Sequence, residues 1–130
     1  MVQLSFHNNN STFKTPPQTN LSLIQKLLAT YKLWHEFLPH FSKTSRYTLG
    51  IKIDALFIEI TEFIFIASRL NKDQKIPFIQ KANAKLDLLK FFLQMSWEIK
   101  ALDNKKYIIL SERLEEIGKM LGGWQKQLLK

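Results

Sequence analysis

From about Leu21 onward, apolar residues recur every three or four positions in four stretches separated by short polar breaks. That spacing turns one side of an α-helix toward a core. The first stretch runs from about Leu21 to Leu38, with Leu23, Leu27, Tyr31, Trp34 and Leu38 on one face. Asn20 or Ser22 supplies its N-cap and Pro39 stops it. His40 to Arg46 reads as a polar connection. The third stretch runs from about Gln74 to Ala101, with Asp73 as cap and Pro77 in the first turn, where a missing N–H costs little. Its inner face is Ile79, Ala82, Leu86, Leu89, Leu93 and Trp97. Asp103 or Asn104 caps the fourth, which carries Tyr107, Leu110, Leu114, Ile117, Leu121, Trp124 and Leu128. There is no internal repeat and no strand alternation. Short connections predict antiparallel neighbours, so the expected fold is all-α: an up-down-up-down four-helix bundle.

The second stretch, from about Tyr47 to Leu70, departs from this pattern. Leu49, Ile53, Leu56, Ile60, Phe63 and Ala67 make one stripe. Ile51, Ile58 and Phe65 make a second, seven residues apart, and Phe57, Ile64 and Ile66 widen the apolar surface. A bundle helix ordinarily buries one stripe. A helix apolar on two sides is either a central helix wrapped by the other three, or a helix whose second side meets another copy of the chain. The second reading predicts an oligomer with Ile51, Ile58 and Phe65 at its interface.

Before the first stretch, residues 1–20 include Asn8-Asn9-Asn10-Ser11-Thr12 and Pro16-Pro17, with Lys14 as their one charge. They read as a flexible polar leader to a bundle domain over 21–130. The opening residues lack the basic start and apolar run of a secretory signal. The richest apolar run, Ala55 to Ala67, is interrupted by Glu59, Thr61 and Glu62, too short and too charged to span a bilayer. The expectation is a soluble, cytoplasmic protein with no membrane partner. Absence of cysteine removes disulfides, thiolate catalysis and Cys-based zinc sites.

Charge adds a partner class. The formal net charge is +8, from 19 Lys and Arg against 11 Asp and Glu, which favours polyanions. The second stretch is balanced, so the excess lies on the other three helices. Lys81 and Lys85 stand one turn apart on the third, opposite the Leu86/Leu89/Leu93 stripe, and Lys75 and Lys90 extend the run. Flexible cations spaced along a ridge suit phosphates. Lys75, Lys81, Lys85 and Lys90 are therefore the leading nucleic-acid-binding candidates, with Arg46, Lys52, Arg69, Lys72 and Arg113 behind them.

No constellation supports catalysis. His35 and His40 are five apart with Pro39 between them, whereas a helical zinc pair needs four. Glu112, Glu115 and Glu116 interleave with Arg113 and Lys119 as a solvated face does. Asp54, Glu59 and Glu62 lie along the second helix, where a carboxylate suits an interface ion pair, and Glu59 and Glu62 share a face without a third ligand. No catalytic residue, metal or cofactor is expected, and the chain reads as a non-enzyme. Trp34, Trp97 and Trp124 are assigned to the core.

Two strings carry a resemblance to a known family. They are Arg46-Tyr47-Thr48-Leu49-Gly50-Ile51-Lys52-Ile53 and Ile117-Gly118-Lys119-Met120-Leu121-Gly122-Gly123-Trp124, supported by Ala82-Asn83-Ala84-Lys85-Leu86. Over about residues 31–128 the chain resembles the accessory variability determinant family of diversity-generating retroelements. The resemblance implies a four-helix bundle assembling as a homopentamer with a basic surface. It further implies binding to the element's reverse transcriptase and to RNA or DNA, in support of mutagenic retrohoming and without catalysis. The related 23S rRNA intervening-sequence family shares bundle and pentamer, but its serine- and asparagine-rich string in the second helix is absent here. That family supplies one alternative, an RNA-binding bundle without a polymerase partner; a structural interaction module with no nucleic-acid role is the other. Gly118, Gly122 and Gly123 fit either close backbone approach or a helix end before Trp124, and Gly50 close packing. Five copies at +8 each carry roughly +40, a field that attracts polynucleotide.

Overall fold

The computed structural model describes residues 18–130, with side chains from Ser22 onward. The leader expected over 1–20 lies outside the described residues as far as residue 17, and Gln18 to Asn20 belong to the first helix. The fold is all-helical. Four helices, α1 (Gln18–Phe37), α2 (Ile51–Ser68), α3 (Lys72–Glu98) and α4 (Asn104–Leu128), pack as a bundle. Chain neighbours are also neighbours in space, and α4 closes the ring against α1.

One apolar core runs through all four. Leu23, Leu27 and Trp34 come from α1, and Ile53, Leu56, Phe57, Ile60, Ile64 and Ala67 from α2. Ile79, Ala82, Leu86, Leu89 and Leu93 come from α3; Leu110, Leu114, Ile117, Leu121 and Trp124 come from α4. Polar residues complete the stripe at two places where bulky ones were expected. Thr30, rather than Tyr31, is buried in α1, its hydroxyl donating to the Lys26 carbonyl at 2.8 Å. Ser96, rather than Trp97, is buried in α3, donating to the Phe92 carbonyl at 2.8 Å. A hydroxyl that bonds back one turn loses little on burial, so the core accepts it. Trp97 is displaced outward to 37% exposure, which corrects its assignment to the core.

Side chains across the seams are paired. Lys26 reaches Glu116 at 2.8 Å from α1 to α4. Asn83 donates to Gln125 at 2.7 Å and Lys90 meets Glu115 at 3.4 Å from α3 to α4. Lys75 donates to the Ala67 carbonyl at 3.1 Å, and Lys85 meets Glu59 at 3.4 Å, from α3 to α2. Along the two seams of α3, rising numbers on that helix meet falling numbers on its neighbour.

The 38–50 connection is structured rather than a simple polar link. It comprises a 3-10 turn (Leu38–His40), one helical turn (Lys43–Ser45) and a π-helical turn (Arg46–Gly50). Phe41 enters the core at 2% exposure and meets Trp34 edge-on at 5.7 Å. The Arg46 guanidinium donates to the carbonyls of Pro39 at 2.9 Å and Phe41 at 3.3 Å, locking the corner. Gly50 is packed as expected: a Cβ there would lie 3.1 Å from Leu38 Cδ1.

Three end assignments change. Asn71, not Asp73, occupies the α3 N-cap position, so Pro77 lies inside the helix, beyond its first turn. Asn20 and Ser22 fall within α1 rather than before it. Gly122 and Gly123 do not end α4, which continues to Leu128. Neither permits close approach either, since an added Cβ meets nothing within 4 Å. Gly118 does face a neighbour: a Cβ there would lie 3.5 Å from Leu86 Cδ2 and 3.3 Å from Lys90 Nζ. Asp103 caps α4 as expected, accepting from the Lys106 amide at 2.9 Å.

Candidate nucleic-acid and assembly surfaces

On α2 the two stripes separate cleanly. Of the inner stripe Ile53, Leu56, Ile60 and Ala67 are buried and Leu49 and Phe63 half-buried, whereas Ile51, Ile58 and Phe65 are 58%, 52% and 43% exposed. The other helices do not wrap α2, so the central-helix alternative does not hold within the subunit. Tyr47, Ala55 and Glu62 are also exposed, and the Arg69 guanidinium stands 5.8 Å over the Phe65 ring. The result is an apolar strip along the outside of one helix, of the kind that marks interaction surfaces.

The lysine ridge of α3 is divided. Lys81 and Lys85 flank the α2 side and Lys90 the α4 side. Lys85 and Lys90 hold Glu59 and Glu115, and of the four only Lys81 is exposed, its ammonium 5.1 Å from the Phe78 ring. Lys75 is drawn in. Its ammonium lies 5.7 Å over Trp124 while bonding the last turn of α2, and burial pushes its pKa below the usual lysine value. Among the weaker candidates, Arg46 is committed to the corner, and Lys72 donates to the Lys130 carbonyl at 3.3 Å. Lys52 and Arg113 are exposed. The partners on α2 and α4 stand far away in sequence, which is why spacing along α3 alone shows a ridge.

The acidic residues are likewise engaged inside the subunit. Of the three α2 carboxylates, Asp54 turns inward: its Oδ1 accepts from the Tyr31 hydroxyl at 2.9 Å and the Trp34 indole N–H at 3.1 Å. Burial, with the Asp54 hydrogen bond and charge, raises the Tyr31 phenol above its ordinary value. Glu115 and Glu116 pair with lysines of other helices rather than their own, and the Lys26 hydrogen bond holds the Glu116 carboxyl below its ordinary value. His35 and His40 are exposed at the end of α1 and in the following turn. Among the described residues, no three His, Asp or Glu side chains gather into a possible metal site. None of the described helices is long and apolar enough to cross a membrane.

A basic, aromatic corner that spacing did not single out lies at the α3–α4 turn. The Ser42 amide donates to the Ala101 carbonyl at 3.2 Å, tying this turn to the 38–50 corner. Trp97 stacks on Tyr107 with centroids 5.0 Å apart and planes at 12°, and its indole N–H donates to Asn104 Oδ1 at 2.6 Å. Beside it opens a cleft of about 660 Å³ lined by Trp97, Glu98, Lys100, Leu102, Asp103 and Asn104. Lys43, Lys100 and Lys105 are exposed here, and none has a side-chain partner among the described residues.

Neither curated proteins nor solved structures yield a match to this chain. A family model does, over residues 21–128, a span that takes in all of α2, α3 and α4 and both strings quoted above. On that match the chain belongs to the bAvd-like family.

Proposed function

We propose that the chain is a non-catalytic accessory subunit of a diversity-generating retroelement, working in the cytoplasm as a homopentamer. In this reading its four helices run antiparallel, up-down-up-down, which the opposed numbering of seam partners supports. The single observation that carries the reading is the uncovered strip Ile51, Ile58 and Phe65. Copies that meet through it pool a charge of +8 each, and a closed ring of them attracts template RNA or cDNA by its summed field. Another face of the ring docks the reverse transcriptase, and the pair supports mutagenic retrohoming.

Among the candidate cations, the exposed Lys52, Lys81 and Arg113 meet phosphate most directly. Lys85 and Lys90 sit in half-exposed ion pairs, which are worth at most about 1 kcal/mol, and can exchange carboxylate for phosphate. Lys75, Arg46 and Lys72 serve mainly to join elements of the subunit.

The test is the native mass, measured by light scattering, together with retention of single-stranded RNA across a salt series. We expect a pentamer, and affinity that falls steeply with salt. Ile58→Glu should yield folded monomers that bind RNA far more weakly. A wild-type monomer at micromolar concentration, or RNA retention indifferent to salt, overturns the proposal.

A further inference from the structure

We infer that the cleft at the α3–α4 turn seats one unstacked base of a single-stranded nucleic acid, Trp97 stacking on the base and Lys100 meeting an adjacent phosphate. The inference rests on the nucleic-acid reading above and gives it a place and a mode. An indole at 37% exposure, fixed at its nitrogen by Asn104 and backed by the Tyr107 ring, is a rigid platform. Rigid aromatic faces flanked by cations are how proteins hold single strands without reading sequence. Of the two carboxylates lining the cleft, Asp103 holds the Lys106 ammonium at 2.8 Å, while Glu98 accepts from the neutral Gln94 amide at 3.0 Å and keeps its charge. The ammonium groups of Lys100 and Lys105 remain uncompensated among the described residues.

The backbone supplies a separate sign. Lys100 has φ 66°, the left-handed conformation that closes α3, where glycine or asparagine ordinarily stands. A lysine there costs stability, and its charge lies on the cleft wall. Strain retained at a site is a pointer to what the side chain does.

The experiment uses the full chain, tryptophan emission and three strands of equal length: RNA, DNA of the same sequence, and abasic DNA. Trp34 and Trp124 are 0% and 6% exposed, so quenching reports Trp97. RNA and DNA should quench, their ratio giving the preference between them. The abasic strand should bind about tenfold more weakly without quenching. Trp97→Leu should lose the same tenfold for intact strands. Lys100→Gly should melt at a higher temperature, keep the quenching, and flatten the slope of log affinity against log salt by about 0.7 for each phosphate no longer neutralised. This variant keeps the test sound if Trp97→Leu fails to fold. Equal binding of abasic and intact strands, or wild-type behaviour in both variants, overturns the stacking site and leaves the general reading standing. Failure of the wild type to bind any strand at low salt overturns both. Unchanged strand binding with lost polymerase capture assigns the cleft to the protein partner and overturns the inference.

Discussion

The Lys85 ammonium lies 3.4 Å from Glu59 Oε1, across the seam between α3 and α2. This pair decides how the α3 lysines behave. Both side chains are about a third or more exposed, so the bond contributes at most about 1 kcal/mol to stability. It does, however, cancel a charge that phosphate would otherwise meet. Glu59→Gln should therefore leave the fold within about 0.5 kcal/mol of wild type and strengthen RNA retention at low salt. Unchanged or weaker retention in a filter-binding series would remove Lys85 from the set of phosphate-binding cations.

Asp54 joins α2 to α1 through Tyr31 and Trp34. Asp54→Ala strands a buried indole N–H, so the subunit should lose about 1–3 kcal/mol. Asp54→Asn keeps an acceptor and should lose less. Urea unfolding followed by far-ultraviolet circular dichroism measures both. Equal stability of wild type and alanine variant would mean the two bonds add nothing.

Asp103 gives the fold an acid-sensitive point. The Lys106 side-chain and amide hydrogen bonds hold its carboxyl below the ordinary value of 3.8. A depressed carboxylate favours the folded state when ionised, so its contribution is complete above pH 3.8 and is lost as pH falls through the folded value. Asp103→Ala should cost about 1 kcal/mol at neutral pH, chiefly as a lost cap. It should also show a smaller fall in melting temperature than wild type between pH 5 and pH 2. Parallel pH curves for the two proteins would contradict this.

Gly122 lies inside α4 with open space where a Cβ would go. Helix propensity alone predicts that Gly122→Ala stabilises the subunit by about 0.8–1.0 kcal/mol. A raised melting temperature with unchanged native mass is the expected pair of results. No stabilisation would mean that an added methyl group is opposed by something outside the subunit.

Much of this architecture was legible in the chain, because helical periodicity is a local property. The inner stripes of α3 and α4 from Ile79 to Leu93 and from Leu110 to Trp124 are buried as spacing predicts. The outward set on α2 stands apart from its core face at seven-residue intervals. What stayed hidden depends on three-dimensional partners. Phe41 sits among His40, Ser42 and Lys43, and only the folded corner carries it to Trp34. Trp97 and Ser96 are adjacent, and period alone prefers the larger apolar residue inside. The hydroxyl's bond to Phe92 and the indole's bond to Asn104 reverse that choice. The pairing of two ridge lysines stayed hidden for the same reason: Glu59 and Glu115 approach Lys85 and Lys90 from other helices.

The π-helical turn at Arg46–Gly50 sets the azimuth of everything that follows it. Such a turn accommodates one residue more than the α-helical winding does. Rewinding it as α-helix with no residue removed would clock α2 by about 100°. Ile58 would then leave the outer face, and Asp54 would swing away from Tyr31 and Trp34. Deleting one residue within 46–50 is the gentler change, since a regular turn then delivers α2 in its present phase. The corner therefore acts as a dial: its winding, held by Arg46 against two carbonyls, selects which side of α2 the subunit shows to its surroundings.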